Sequence, residues 1–397
     1  MTAGNKRPVA IVRTRPLGQG NYGGILQAYA LQQALEELGA EPRTDLSPGV
    51  ARDARISNLI RNIKSAIRIA LTRMGVPRHV SRAWVEEAIR KSRDQELMRF
   101  VAENISTVRL YGASGRVDEE ELARADLFVT GSDQVWRARF GRVPTYLFDF
   151  LRDDDTRPRI AYAASFGTDE NEFSADLASL TRPLAQRLSA ASVRETGGIE
   201  LARRLWNIEA EHVVDPTMLL NVDRYSALAD KAIDPIGAKP LVTYVLDRHP
   251  ATLQSVTAVA AILGSQPMTL APSVPASFRD YRSAPQQYAR PSIEAWLGAV
   301  RDSDFVVTDS FHGTVFALLF NRPFLSIANK ERGASRFESL LRVVGLEDRL
   351  VLPGSTPSVA IVENPIDWED VNARIRVRQQ QSVVFLKKAI ASASFAR

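Results

Sequence analysis

The sequence predicts an α/β protein of two Rossmann-like domains whose parallel sheets face each other across a cleft. Three observations point there. Short apolar runs alternate with segments of helical periodicity along most of the chain, the pattern of parallel sheets covered by helices on both faces. The alternation is interrupted around 222–238, where "DKAIDPIGAKP" gathers proline and glycine. At 397 residues the chain is long enough for two cores. We therefore expect a first domain over 1–225 with a basic helical insertion at about 52–103, a second over 236–365, and a terminal helix over 366–397 that packs back on the first.

In order, "VAIV" (9–12) is an apolar strand, and 24–38 carries Ile25, Leu26, Ala28, Leu31 and Leu35 at helical spacing. Segment 55–103 is helical apart from a break at "GVPRHVS". "LFVTGSDQVW" is a buried strand ending in a glycine turn, and "RIAYAASFG" is another. A helix over 174–189, the strand "AASVRE" and a helix through Trp206 follow, and "HVVDPTMLL" closes the half. The second half repeats the theme with strands "LVTYVLD", "MTLA", "FVVTDS" and "PFLSIAN" and helices over 251–263, 291–301, 313–320 and 335–344. In open parallel sheets ligands bind beyond the carboxyl ends of strands, so two such sheets would line a cleft with those ends.

Composition is that of a globular protein, with 45% hydrophobic and 24% charged residues. Cysteine is absent, which excludes disulfides, thiolate metal sites and a cysteine nucleophile. Neither a signal peptide nor an 18-residue apolar span is present, so a cytoplasmic protein is expected. Net charge is +5, concentrated between Ala54 and Val85, where seven Lys/Arg stand without an acid. Ile56, Leu59, Ile60, Ile63, Ile67, Leu71 and Met74 share one helical face there. Such a helix packs on its own domain or lies on an anionic membrane surface, making 55–74 a candidate peripheral contact at the inner face of the membrane. Nucleic acid is not expected, because only Trp84 stands nearby for stacking and no reading motif is present.

"GQGNYG" (18–23) spells the glycine pattern of a dinucleotide loop. That loop demands a strand running straight into its first glycine, a helix opening at its last, and an acid about 20 residues on. The helix is present and Asp45 is an acid. The strand fails, because "RTRPL" with Pro16 separates Val12 from Gly18. No cofactor is expected.

Three strand ends would line the cleft. In "TDSFHGTVFALLF" a buried strand ends at Thr308, Asp309 or Ser310 suits the helix cap, and His312 falls in the first turn, where an anion suits the exposed N–H groups. His312 could equally be a packed turn residue. In "FVTGSDQVW", Asp133 and Gln134 offer hydrogen bonds and Trp136 a flat face, a set that suits a sugar unless Trp136 is core. In "AASVRET", Arg194 ends a strand and could grip a carboxylate or phosphate. Downstream, Lys330, Arg332 and Arg336 form a phosphate claw or a solvated loop.

In this order and spacing, "NYGGILQAYALQ", "GSDQVW", "SVRE", "DPTMLL" and "TDSFHGTVFALLFNRPFLSI" resemble the polysaccharide pyruvyltransferase family over about residues 18–345. The resemblance implies a fold similar to B-type glycosyltransferases. It also implies transfer of pyruvate from phosphoenolpyruvate to a sugar of a surface polysaccharide or its lipid-linked precursor, giving a pyruvyl ketal. On that footing His312 matches the family's histidine and is the general acid; a charged ring at a helix start needs a compensating anion, either the bound substrate or Asp309 if its side chain reaches the ring. Asp133 is the group for acceptor hydroxyls. Arg194, Ser310, Lys330, Arg332 and Arg336 meet the donor, while Asn21, Tyr22, Gln134 and Trp136 meet the acceptor. No metal is implied, and none of the four histidines is spaced as part of a ligand pair. One departure stands out. Many members of the family carry arginine two residues before the histidine, where this chain has Ser310. It keeps open a non-catalytic glycan-binding relative. A nucleotide-sugar glycosyltransferase would need a ribose-binding acid in the second domain, for which Glu294 is the candidate.

Overall fold

The computed structural model describes residues 7–47, 89–111, 116–140, 142–275, 278–329 and 333–394. The expected basic helix at 55–74 lies outside them, as do Lys330 and Arg332. Among the described residues no helix is long and apolar enough to cross a membrane.

Two parallel sheets organise the chain. The first has seven strands in the order β3-β2-β1-β4-β5-β6-β7. These are β1 (Val9–Arg13), β2 (Glu41–Asp45), β3 (Thr107–Val108), β4 (Leu127–Thr130), β5 (Arg159–Ala164), β6 (Ala190–Val193) and β7 (Glu211–His212). The second has five, in the order β12-β11-β10-β8-β9: β8 (Lys239–Tyr244), β9 (Met268–Thr269), β10 (Ser303–Thr308), β11 (Phe324–Ile327) and β12 (Leu350–Val351). All strand pairs are parallel. The fold class read from the alternation is therefore the fold observed. β1 and β4 sit centrally and are buried along their whole length, as their unbroken apolar runs require.

Five helices matter for the site: α1 (Tyr22–Glu37), α2 (Ile293–Arg301), α3 (Phe311–Leu319), α4 (Ser335–Val344) and α5 (Trp368–Ser394). α1 starts two residues earlier than its apolar spacing suggests, because Asn21 caps it by accepting from Gly24 N at 2.9 Å. Strand β2, "EPRTD", is polar and contains proline, so its membership of the sheet left no apolar signal. "MTLA" contributes only a two-residue, exposed edge strand.

The halves share one apolar core. A single cluster holds Ala10 and Val12 of β1, Ile25 and Leu31 of α1, Trp296 of α2, Val306 of β10 and Phe316 of α3. Tyr22 links the two sides, its ring stacked on Trp296 at 5.4 Å and its hydroxyl donating to Pro291 O at 2.6 Å. α5 runs back across the first half: Ser382 Oγ accepts from Val214 N at 3.0 Å, and Gln379 donates to Leu219 O at 2.8 Å.

His212 is the pin between α5 and the strand ends. Arg378 Nη2 lies 2.8 Å from its Nδ1, and its Nε2 lies 3.1 Å from Arg194 O. A guanidinium donates only, so Nδ1 accepts and Nε2–H donates to the carbonyl. Burial first, then Arg378, lowers the His212 pKa to about 4. Unfolded histidine titrates near ~6.5, so the unfolded chain binds a proton that the native state refuses between those values. Stability should fall as pH drops from about 6.5 towards about 4. His212→Gln should flatten that slope in denaturant titrations at stepped pH. Parallel curves for the two proteins would remove His212 as the cause.

Candidate functional site

Each sheet has one place where its strand order reverses, between β1 and β4 in the first and between β8 and β10 in the second. Crevices at such points are where open α/β sheets take ligands. Here the loops leaving all four strands line one cleft of about 750 Å³, within the usual range for small-molecule sites. Arg15 follows β1, Asp133 and Gln134 follow β4, Leu246 and Arg248 follow β8, and Asp309, Ser310 and His312 follow β10.

The glycine loop meets the histidine. Gly23 sits in the first turn of α1, and a Cβ there would overlap the His312 ring at Nδ1. Gly20, at φ 72°, lies under the Arg290 guanidinium, whose Nε a Cβ would meet at 2.6 Å. Asp45 is buried and bonded to Arg13, Ser47 N and Leu110 N, far from the role of a ribose ligand. The loop is thus a close-packing device between α1 and α3.

Ser310 caps α3, with its Oγ 3.5 Å from Gly313 N. Of the two anions considered for His312, Asp309 is not the carboxylate beside its ring. Its two oxygens accept from Leu246 N and Asp247 N, each at 2.7 Å, which fixes the loop after β8. The partner of His312 is Asp215, from "DPTMLL": Nε2 lies 3.6 Å from Asp215 Oδ2. Asp215 is buried and densely bonded. Oδ2 accepts from Gln27 at 2.5 Å and Arg194 at 2.6 Å, and Oδ1 accepts from Thr217 N at 3.0 Å and Oγ1 at 2.7 Å. Burial opposes its charge, but His312 and Arg194 hold the carboxyl far below the usual range. His312 thus turns Nε2 to Asp215 and Nδ1 to the first turn of α1 at Gly23.

Arg194 was expected to grip the donor directly. It instead lies beneath the cleft, 3% exposed, with Nη1 bonded to Asp215 and its Cζ 4.5 Å from the Phe311 ring centroid, while Nε and Nη2 have no hydrogen-bond partner among the described residues. Trp136 was expected to stack on a sugar. It is fully buried, packed against Trp206 at 4.9 Å and Phe166 at 5.3 Å, and belongs to the core. Its apolar neighbours in space come from distant segments, so local sequence could not separate the two roles. Asn21, Tyr22, Gln134, Asp133, Ser310, His312 and Arg336 all line the cleft.

Asp133 occupies a left-handed backbone conformation at φ 76°, which turns it into the cleft. Burial works against its charge, yet Arg15, then Arg194 and Arg336, keep its carboxyl below the ordinary value. Arg336 lies 3.9 Å from Asp133 and is pushed down to about 9 by burial and by Arg194, remaining a cation at neutral pH. Sequence reasoning missed four further arginines at the cleft, Arg15, Arg93, Arg248 and Arg290. None had a local pattern, since each comes from a separate segment, Arg15, Arg248 and Arg290 from loops and Arg93 from a helical stretch. Five arginines thus face two aspartates among the described lining residues. Glu294 is buried on α2 and bonded to Arg99 at 3.0 Å, outside the cleft lining. No group of three or more His, Asp or Glu among the described residues is placed to hold a metal ion.

A cationic cleft between two α/β sheets, with a histidine–aspartate pair at a helix start, has the parts of a group-transfer site for an anionic substrate. The chain belongs to the polysaccharide pyruvyl transferase family, which it matches over residues 21–331. Membership makes it a transferase of polysaccharide pyruvylation. No curated protein matches it by sequence. Solved structures similar in fold include UDP-N-acetylglucosamine 2-epimerase from Rickettsia bellii, with 10% identity, 98% of each chain covered and a TM-score of 0.48. A glycosyltransferase from Rickettsia africae aligns at 9% identity, 98% of each chain and TM-score 0.48. UDP-GlcNAc 2-epimerase from Neisseria meningitidis bound to UDP-GlcNAc aligns at 8% identity over 98% of this chain and 100% of its own, with TM-score 0.43.

Gly23→Ala should be disproportionately harmful to activity. The added methyl must displace the His312 ring, so turnover should fall by about 100-fold or more, the scale expected of a 1 Å misplacement. Gly39→Ala, whose Cβ meets nothing, serves as a stability control for a strained glycine. Equal activity loss in both would show that Gly23 is only a folding residue.

Proposed function

We propose that this protein transfers the pyruvyl group of phosphoenolpyruvate to two hydroxyls of one sugar, in a surface polysaccharide or its lipid-linked precursor, forming a pyruvyl ketal. The observation that carries this reading is the His312–Asp215 pair opening into a cleft lined by arginines. Phosphoenolpyruvate is a small trianion that reacts by carbon protonation, and the cleft offers both cations and a proton donor.

The chemistry follows from the parts. His312, as imidazolium, gives the Nδ1 proton to the methylene carbon, which becomes the methyl group and leaves an oxocarbenium-like centre at C2. One acceptor hydroxyl adds there and gives up its proton. The C2–O bond to phosphorus breaks, phosphate departs, and the second hydroxyl adds to the regenerated cationic centre. Of the two hydroxyl protons, one replaces that spent by His312 and the other leaves with phosphate. Asp215 faces the ring from the side away from the reacting carbon. Asp133, held ionised, accepts hydrogen bonds from the attacking hydroxyls and takes a proton as they add. Arg336 and the start of α3 neutralise the phosphate, and the second-sheet side of the cleft is the donor side. Asn21, Tyr22 and Gln134 face the acceptor from the first-sheet side.

Two measurements test this. Phosphoenolpyruvate should raise the melting temperature where NAD and UDP-glucose do not, a ligand at 100 times its dissociation constant adding about 2.7 kcal/mol. His312→Gln should retain that stabilisation and lose turnover by about 100-fold or more, the scale of general acid catalysis. Stabilisation by UDP-glucose alone, or a near-normal rate in His312→Gln, would refute the assignment.

A further inference from the structure

Phosphoenolpyruvate carries two separate anions, a phosphate that leaves and a carboxylate that stays in the ketal. The cleft must hold both, and most of its arginines are already committed to protein. Arg93 donates to Tyr288 O at 2.8 Å and Ser273 O at 3.1 Å. Arg290 is bonded to Asp94, and Arg248 to Ala271 O and to Ser273 Oγ. Arg194 is held by Asp215 beneath the floor. Arg336 stands with Arg194, Asp133 and Gly333 O around the start of α3.

Arg15 differs. It projects from the loop after β1, on one side of the first sheet's switch point, with Asp133 on the other. Its guanidinium rests on the Phe140 ring at 5.1 Å, and among the described residues no protein group accepts a hydrogen bond from it. Phe140 also lines the cleft, so the guanidinium sits beside an aromatic ring at the cleft with its donors uncommitted. After burial, Arg15 is the strongest influence on the Asp133 carboxyl, so the two side chains stand close to each other at the cleft.

We infer that Arg15 binds the donor's carboxylate, while phosphate sits across the cleft at Ser310, Arg336 and the start of α3. The inference rests on the phosphoenolpyruvate reading above. A planar carboxylate matches a guanidinium fork bidentately, and a tetrahedral phosphate suits a helix start. The placement also keeps the carboxylate beside Asp133, where the acceptor hydroxyls arrive, so C2 lies between the two anion sites. Arg15 then touches donor and product alike, whereas the phosphate contacts touch only donor and leaving group. Ser310, smaller than arginine, takes up Gly313 N at the helix start and fills less of the space there.

The test uses the full-length protein as wild type, Arg15→Gln and Arg15→Lys, titrated separately with phosphoenolpyruvate and with inorganic phosphate, followed by calorimetry. Arg15→Gln should weaken phosphoenolpyruvate about 10- to 100-fold, the loss of a charged hydrogen-bonded pair, and leave phosphate affinity within about twofold. Arg15→Lys, which keeps the charge but not the fork, should fall between. Phosphoenolpyruvate affinity unchanged in Arg15→Gln, or phosphate affinity lost in step with it, would overturn the assignment. Melting temperatures within a few degrees of wild type confirm that the variants fold. If wild type itself binds phosphate but not phosphoenolpyruvate, the donor reading fails, and this inference fails with it.

Discussion

A carboxylate with almost no access to water sits where both halves of the chain converge, and the arrangement of the cleft depends on it. Asp215 takes bonds from Gln27 on α1, Arg194 at the end of β6, and its own turn at Thr217, with His312 on α3 facing it. A buried charge is tolerated only when paired and hydrogen-bonded, so each of these groups is held to the others by a shared need. Removing one partner of such a pair typically costs about 3–5 kcal/mol, because the other charge is left uncompensated. Asp215 therefore joins structure and chemistry in one residue. It fixes Arg194 below the floor and faces Nε2 of His312, a buried ring that lines the cleft.

The cleft above it carries unfavourable terms that the fold does not relieve by itself. Arg336 and Arg194 lie close enough to depress the Arg336 pKa, and Arg290 acts on Arg93 in the same direction. Asp133 holds a backbone conformation that a non-glycine residue adopts at a cost of about 1–3 kcal/mol. Crowded like charges and a strained acid next to a cavity are what an anionic ligand would relax. Their cost is offset by the shared apolar core, which runs unbroken from β1 to α3 and lets neither half move far without the other.

How much of this could be read from sequence follows from how local each signal is. The alternating strands and helices were legible because burial on both faces writes long apolar runs, as in "LFVT" and "FVVT". β2 was not, since "EPRTD" joins the sheet through its backbone and carries polar side chains on to other elements. His312 and Asp133 were visible as polar residues closing apolar strands. Asp215 was in view within "DPTMLL" but had no assignable role, because its partners lie 21, 97 and 188 positions away at Arg194, His312 and Gln27. Trp136 was misplaced for the same reason: an aromatic after a strand end can face a ligand or the core, and only Phe166 and Trp206 decide it. The cleft arginines come from separate loops and helices, Arg336 from α4, and could be gathered only by the fold.

The glycine loop shows why a pattern must be argued through its mechanism. In a dinucleotide site, glycines let backbone approach pyrophosphate directly at the end of a strand. Here β1 ends at Arg13, eight residues before α1, so no tight strand-to-helix turn exists. Yet the glycines remain sterically demanded, Gly20 by the Arg290 guanidinium and Gly23 by the His312 ring. The same residue type answers the same physical question, how closely another group may approach the backbone, with protein side chains in place of a cofactor. Bringing a histidine from α3 onto the bare first turn of α1 fastens the second sheet's switch point to the first. That closeness brings His312 of one half into the same cleft as Arg15 and Asp133 of the other, so the loop that mimics a cofactor site helps make a single cleft from two sheets.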